Sequence, residues 1–310
     1  MRLLPLLVGL SLACNAAADN VAAPGSQKPE PAQSAGGDAF DSARAWTHLG
    51  AQVAIGPRVA GTAANAQTRQ YIISTLAKSG IKAVERSFDA RTPTGPVKMA
   101  NVVATLPGER QERIILASHF DTKLFKEFRF VGASDSASST AVLLEIGRVL
   151  QGRPRPFTIE LLFFDGEEAF GEWNLQADST YGSRHYVQNA RTNGTLSGIK
   201  AFILLDMVGD KDLNIRREEN STRWLTDIIW GTARRLGHAR YFLNETTPIE
   251  DDHLHFVYAG VPAVDVIDLD YFAWHTAEDT LANVSEQSLD VVGEVVLAAL
   301  PEIEQRLLKQ

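Results

Sequence analysis

The chain has 310 residues, of which 45% are hydrophobic and 22% charged, as expected for a globular protein of one large or two small domains. Its formal net charge of -8 argues against a nucleic-acid partner, because phosphate backbones are bound through basic patches. Cys14 is the only cysteine, so the mature domain has neither a disulfide nor a thiol nucleophile.

The first residues, "MRLLPLLVGLSLACNAAADN", place Arg2 before an apolar run and then small residues. That pattern reads as a secretory signal peptide over residues 1–18. Two processing routes stay open: small-x-small cleavage after Ala18, or a lipobox in "SLAC" with Cys14 as the lipidated residue. Either route exports the chain to the periplasm or the exterior, free or lipid-anchored through Cys14. Residues 19–38, rich in Ala, Pro, Gly, Ser and Gln, read as a disordered linker. Residues 39–310 are expected to form a single α/β catalytic domain without a membrane span.

Within it, residues 63–79 have helical spacing, with Gly80 as the stop. Residues 97–108 and 113–122 read as strands, the second buried and ending in polar residues. Residues 140–150 form an amphipathic helix, and 157–168 and 199–209 two further buried strands. Residues 222–237 read as helix and 261–268 as strand. Residues 285–308 give one or two terminal helices, with Pro301 a kink or break. No internal repeat is present. The alternation predicts an α/β, three-layer sandwich whose mixed, mostly parallel central sheet is covered by helices on both faces. Such sheets build their sites beyond the carboxyl ends of the strands.

Ionisable residues stand at those ends. His119 and Asp121 close one strand run, Glu167 and Glu168 the next, and Asp206 the third; His275 follows the last by a short loop. With Asp135 in "GASDSA", these are carboxylates and imidazoles without thiolates. That donor set suits a catalytic Zn²⁺ site that keeps a position open. Two adjacent uncompensated carboxylates at a buried edge would be costly without a cation. One of the Glu167/Glu168 pair would bind the metal while the other faces substrate as general base. Taken singly, each feature has a plainer explanation: His-x-Asp recurs by chance, strand-end Asp residues cap helices, and paired Glu residues decorate surfaces. Their coincidence at successive strand ends favours the metal. No G-x-S-x-G elbow, phosphate-binding glycine loop or H-E-x-x-H helix is present. His48, His185, His238, His253 and His255 are expected to be structural, with His253 the one candidate for the site edge.

The segments "SHFDT", "GASDSA", "FFDGEEAF", "YGSRHYV", "LLDMVG", "DDHLHFVYAGVPA" and "WHTAEDT" resemble, in order, those of co-catalytic zinc aminopeptidases, over residue 42 to the end. "SDSASST" without a glycine, "IEDDH", Trp173 in "DGEEAFGEW" and Trp274 before the histidine look most like the glutaminyl-peptide cyclotransferase branch, in a bacterial form. The resemblance implies one zinc per chain held by Asp135, Glu168 and His275, with Glu167 as general acid/base. It implies Asp206 and Asp251 as hydrogen-bonding catalytic carboxylates, and Trp173, Trp274 and Glu250 as substrate-binding residues. His119, Asp121 and His253 lie near the site. Asp265 stands where animal cyclases carry His, and their disulfide is absent. The substrate implied is a peptide or protein with N-terminal glutamine, turned over by a monomer to a pyroglutamyl product and ammonia. The alternatives are a two-zinc aminopeptidase and, from another class, a catalytically inactive binding domain.

Overall fold

The computed structural model describes residues 39–310, which belong to one compact unit. The signal peptide and linker read over residues 1–38 lie outside the described residues. Six strands form the main sheet: β1 (Ala83–Thr92), β2 (Gly95–Leu106), β3 (Arg110–His119), β4 (Phe157–Phe164), β5 (Ile199–Asp206) and β8 (Ala263–Ile267), in the order β1-β2-β4-β3-β5-β8. β4, β3, β5 and β8 run parallel, while β1 and β2 form an antiparallel hairpin against β4. β6 (Ile215–Glu218) and β7 (Phe242–Thr247) pair separately.

Helices α1 (Ser42–Ile55), α2 (Ala63–Lys78), α3 (Ser139–Leu150), α5 (Arg223–Arg235) and α7 (Glu286–Leu307) pack on one face of the sheet, through a core that includes Leu49, Leu76, Ile146, Ile229 and Val295. α4 (Tyr181–Thr192) and α6 (His253–Tyr258) cover the other face through Val187 and Phe256. Phe256 stacks on Phe202 of β5 with ring centroids 3.7 Å apart. β4 is buried at every position, which is why its sequence is an apolar run broken only by Thr158 and Glu160. The expected three-layer α/β sandwich is therefore the architecture.

Element ends follow local chemistry. Thr62 caps α2 by accepting the N–H of Asn65 at 3.2 Å, and Gly80, with φ of +76°, turns the chain away at the other end. Pro301 does not break the last helix. It lies inside continuous α7 on the solvent side, where water can satisfy the carbonyl that loses its partner. The three central strands stop at His119, Phe164 and Asp206, short of the expected 122, 168 and 209. The residues beyond are loops that carry the polar groups.

The order of the strands fixes the site. The chain passes from β3 out to β4 on one side, then returns to β5 on the other side of β3. A crevice opens where the order reverses, at the carboxyl ends of β3 and its neighbours.

Candidate active site

His119 ends β3 and Asp206 ends β5, so adjacent parallel strands deliver them to one edge. His119 Nε2 lies 3.1 Å from Asp206 Oδ1 and 3.2 Å from Asp135 Oδ1. Asp135 sits in a tight turn, Ala133–Ser138, that leads into α3. Glu167 and Glu168 follow β4 after Gly166. There φ is +71°, and a Cβ would come within 2.4 Å of Met99 Sδ. Only glycine turns the chain that sharply there. Asp121 then clamps the pair from below: its two oxygens accept the N–H of Glu167 at 3.1 Å and of Glu168 at 3.2 Å.

His275 arrives from the loop after β8 with φ of +54°, a left-handed conformation that costs a non-glycine residue about 1–2 kcal/mol. Its ring is walled by Phe125, Phe130 and Trp274, the last stacked at 4.5 Å. So held, Nε2 points 3.2 Å from Glu168 Oε1 and 3.3 Å from Asp135 Oδ2.

Two groups of donor atoms result, each gathered within 4.8 Å: Asp135, Glu168 and His275, and His119, Asp135 and Asp206, with Asp135 common to both. The groups fit a cation. Glu168 Oε2 and His119 Nδ1 are buried without a hydrogen-bond partner. Burial opposes protonation of His275, yet Asp135 and Glu168 outweigh it and lift its pKa to about 10. Burial likewise works against the Asp135 carboxylate, but hydrogen bonds from His119 and His275 hold its pKa below the usual range. Negative charge thus converges where a dication would take the place of the imidazole proton. The donor atoms gathered here could hold a metal ion.

The Asp135–Glu168–His275 group opens into a pocket of about 450 Å³, whose wall also includes Glu167, Asp206, Asp251 and Lys123. Burial raises the Glu167 carboxyl well above its ordinary range; His119 opposes this, while Glu168, Asp251 and Asp252 add to it. Burial, reinforced by Asp206 and Asp252, does the same to Asp251. Trp173, Trp274 and Glu250 stand half-exposed or exposed at the pocket wall, over an apolar lining that includes Ile249, Ile267 and Leu269.

Of the sequence-derived residues, Asp135, Glu167, Glu168, Asp206, Asp251, His275, Trp173, Trp274 and Glu250 meet in this pocket. His119 and Asp121 lie directly behind it, 1% exposed. His253 does not reach the site edge. It is fully buried, with Nε2 3.0 Å from Glu218 Oε2 and Nδ1 3.6 Å from Asp265 Oδ2, because it starts α6 on the side facing the sheet. His255 bonds Thr180, His48 bonds Tyr71, His238 bonds Glu294, and His185 stacks on Phe88, all away from the pocket.

Sequence reasoning missed Lys123, whose Nζ lies 3.5 Å from Glu168 Oε2, and Arg58. Arg58 is fully buried and donates to the carbonyls of Gly56, Phe120, Val131 and Gly132, which ties the loop after β3 to the Asp135 turn. "GPRVAG" carried the signal for Arg58: one charged residue among apolar ones and glycines.

The model of peptidase family M28 matches residues 101–300. Glutaminyl-peptide cyclotransferase-like protein of Bos taurus is 32% identical over 275 residues, spanning 79% of this chain and 72% of that protein. Among solved structures, glutaminyl cyclase from an Acidobacteriales bacterium matches with a TM-score of 0.82 and 38% identity, over 92% of this chain and 99% of that one. A leucine aminopeptidase precursor from Bacteroides thetaiotaomicron matches with a TM-score of 0.78 and 27% identity, over 84% of this chain and 97% of that one. By the family match, and by identity over most of both sequences, this chain belongs to peptidase family M28 and, within it, to the glutaminyl-peptide cyclotransferases.

Proposed function

We propose that the chain cyclises the N-terminal glutamine of peptides or proteins to pyroglutamate and releases ammonia, with one Zn²⁺ held by Asp135, Glu168 and His275. The observation that carries this reading is the position of Glu167. It shares the pocket wall with the three donors, and burial raises its carboxyl well above the ordinary carboxylate range, which favours a proton carrier over a permanently charged group.

In the reaction the α-nitrogen of glutamine forms a bond to its own side-chain amide carbon, and the bond from that carbon to the amide nitrogen breaks. Closure of a five-membered ring already carries a large effective concentration. Starting from the unprotonated α-amine, Glu167 takes one proton from the attacking nitrogen and delivers it to the departing nitrogen, which leaves as ammonia. The chemistry a bound Zn²⁺ supplies is Lewis-acid polarisation of the side-chain amide carbonyl. Asp206 and Asp251 face the substrate as hydrogen-bonding carboxylates. Trp173 and Trp274 flank the entering side chain and exclude water. No water is consumed, so one metal suffices. His119 already bridges Asp206 and Asp135 behind the pocket, which supports a single ion on the pocket side.

A second reading, a two-zinc aminopeptidase, has one observation in its favour: the His119–Asp135–Asp206 group could seat another ion. Incubation of the purified chain with a Gln-dipeptide, with and without chelator, separates the two by mass spectrometry. Loss of ammonia that chelator abolishes supports cyclisation; free glutamine with about two zinc ions per chain would replace it with the peptidase.

No helix among the described residues is long and apolar enough to cross a membrane. The chain acts as an exported monomer, led by a signal peptide over residues 1–18 and tethered by 19–38, with Cys14 as the site of any lipid anchor.

A further inference from the structure

Asp279, the acidic residue of "WHTAEDT", has no part in the chemistry above, yet it is 1% exposed and fully engaged. Its backbone carbonyl accepts the N–H of Ala133 at 3.3 Å. Its side chain accepts the next two: Ser134 N–H on Oδ1 at 2.7 Å and Asp135 N–H on Oδ2 at 3.1 Å. One residue therefore gathers three successive N–H groups of the turn that presents Asp135, an arrangement suited to an anionic acceptor. The Tyr271 hydroxyl completes the set by donating to Oδ1 at 2.9 Å. Tyr271 precedes His275 by four residues and Asp279 follows it by four, so both flanks of the His275 loop close on one carboxylate. The turn it grips is tight: a Cβ on Gly132 would lie 1.9 Å from the Asp135 carbonyl oxygen.

We propose that Asp279 is a positioning residue: it locks the Asp135 turn to the His275 loop and so sets the 3.3 Å approach of Asp135 Oδ2 to His275 Nε2 on which metal affinity depends. The two donors come from segments 140 residues apart in sequence and on different strand ends. Asp135 lies in the turn that leads into α3 and His275 in the loop after β8, so a tie between these two loops bears directly on their spacing. Asparagine at 279 would turn an amide N–H toward one of the backbone donors, which opens the tie while keeping the side chain's size. The inference rests on the metal placement proposed above, but not on which reaction the site performs.

The test is Zn²⁺ affinity, measured by competition with a chelating dye, alongside thermal melts of the metal-stripped chain. Asp279→Asn is expected to weaken Zn²⁺ binding about 10–100-fold, as for other residues that orient metal ligands. Tyr271→Phe, which removes one hydrogen bond and leaves the carboxylate, is expected to weaken it about 2–5-fold. Parental affinity in both variants, with only the melting temperature lowered, would reduce Asp279 to a packing role and overturn the proposal. Should Asp279→Asn fail to fold, Tyr271→Phe decides alone: unchanged affinity overturns, weakened affinity supports. A parent chain that takes up no Zn²⁺ would overturn the metal placement and this inference with it. Zinc uptake with free glutamine as product would overturn only the cyclisation reading.

Discussion

Glu167 and Glu168, neighbours in the chain, turn their carboxylates to different partners: Glu168 Oε1 lies 3.2 Å from His275 Nε2, whereas Glu167 Oε2 lies 3.7 Å from His119 Nδ1. The divergence follows from Gly166 and from Asp121, which fixes both N–H groups and leaves the side chains to splay. Two identical residue types thus sit in two environments, which is how one acid can serve as ligand and its neighbour as proton carrier.

The two glutamates are therefore expected to fail differently. Glu167→Gln should lower kcat by about 10²–10⁴-fold, the usual worth of a general acid/base, and leave bound zinc near one per chain. Glu168→Gln should lose zinc first and activity as a consequence, with partial recovery in excess Zn²⁺. Atomic-absorption measurement of both variants beside their kinetics checks this. A Glu167→Gln enzyme with full turnover of Gln-peptides would remove Glu167 from the mechanism.

Trp173 and Trp274 should also separate. Trp173 lies on an exposed loop and touches the site only through the pocket. Trp173→Ala is expected to raise KM about 3–10-fold with kcat nearly unchanged, the signature of lost ground-state binding. Trp274 also stacks on His275, so Trp274→Ala should raise KM and lower kcat together. Steady-state kinetics with one Gln-dipeptide distinguishes the patterns. Equal effects on kcat from both would contradict the division of roles.

How much of this was legible in sequence depends on what kind of signal each part leaves. The buried strands β3, β4 and β5 announce themselves as apolar runs, and ionisable residues at or soon after their ends gather at the pocket or behind it, although Asp165, the first after β4, turns away to accept from Asn65 and the Ala100 N–H. In sequence the ends of β3 and β5 read too long, because Phe120 after β3, and Met207 and Val208 after β5, are apolar and buried although the sheet pairing has stopped. β1 escaped because one of its faces is open to water and its sequence, "AVERSFDART", is mostly polar. β6 and α6, at four and six residues, are too short for periodicity to speak. The candidate ligands are visible in the sequence and their supports are not. Asp121 was noticed for its spacing from His119, but its function as a clamp on Glu167 and Glu168 depends on backbone N–H groups 46 and 47 residues away. Such partners carry no residue-type signature. His253 misled for the opposite reason, since its neighbours Asp251 and Asp252 are at or beside the pocket while its own ring turns inward to Glu218.

Arg58 gives a stability prediction that bears on the site. Its guanidinium is fully buried, and burial lowers its pKa to about 10, partly offset by Asp279, Asp135 and Asp121. It donates to four backbone carbonyls, with N–O distances from 2.6 to 3.3 Å. Arg58→Met keeps the length of the stem but leaves those carbonyls without donors, at a cost of about 3 kcal/mol or more. Chemical denaturation should show a lower midpoint with little change in slope. A variant within about 0.5 kcal/mol of the parent would mean that water replaces the guanidinium freely.

The pH dependence of stability can be pinned on His255. Burial lowers its pKa from 6.5 to about 4, with Arg184 and His253 adding to the effect, and its Nε2 bonds Thr180 Oγ1 at 2.8 Å. The folded-state value is the lower one, so the unfolded chain binds the proton first as pH falls through 6.5. The contribution of His255 is therefore intact above pH 6.5 and declines steadily until pH 4, where the folded state protonates too. At pH 5 the loss amounts to about 2 kcal/mol before solvent screening. His255→Gln cannot take up the proton and retains a hydrogen-bonding end for Thr180. Between pH 7.5 and 5.0 its melting temperature should fall by a few degrees less than that of the parent. Because raised carboxylates such as Asp268 shift in the opposite sense and are common to both proteins, the comparison isolates the imidazole. Parallel pH profiles for the two would show that His255 is protonated as readily in the fold as out of it.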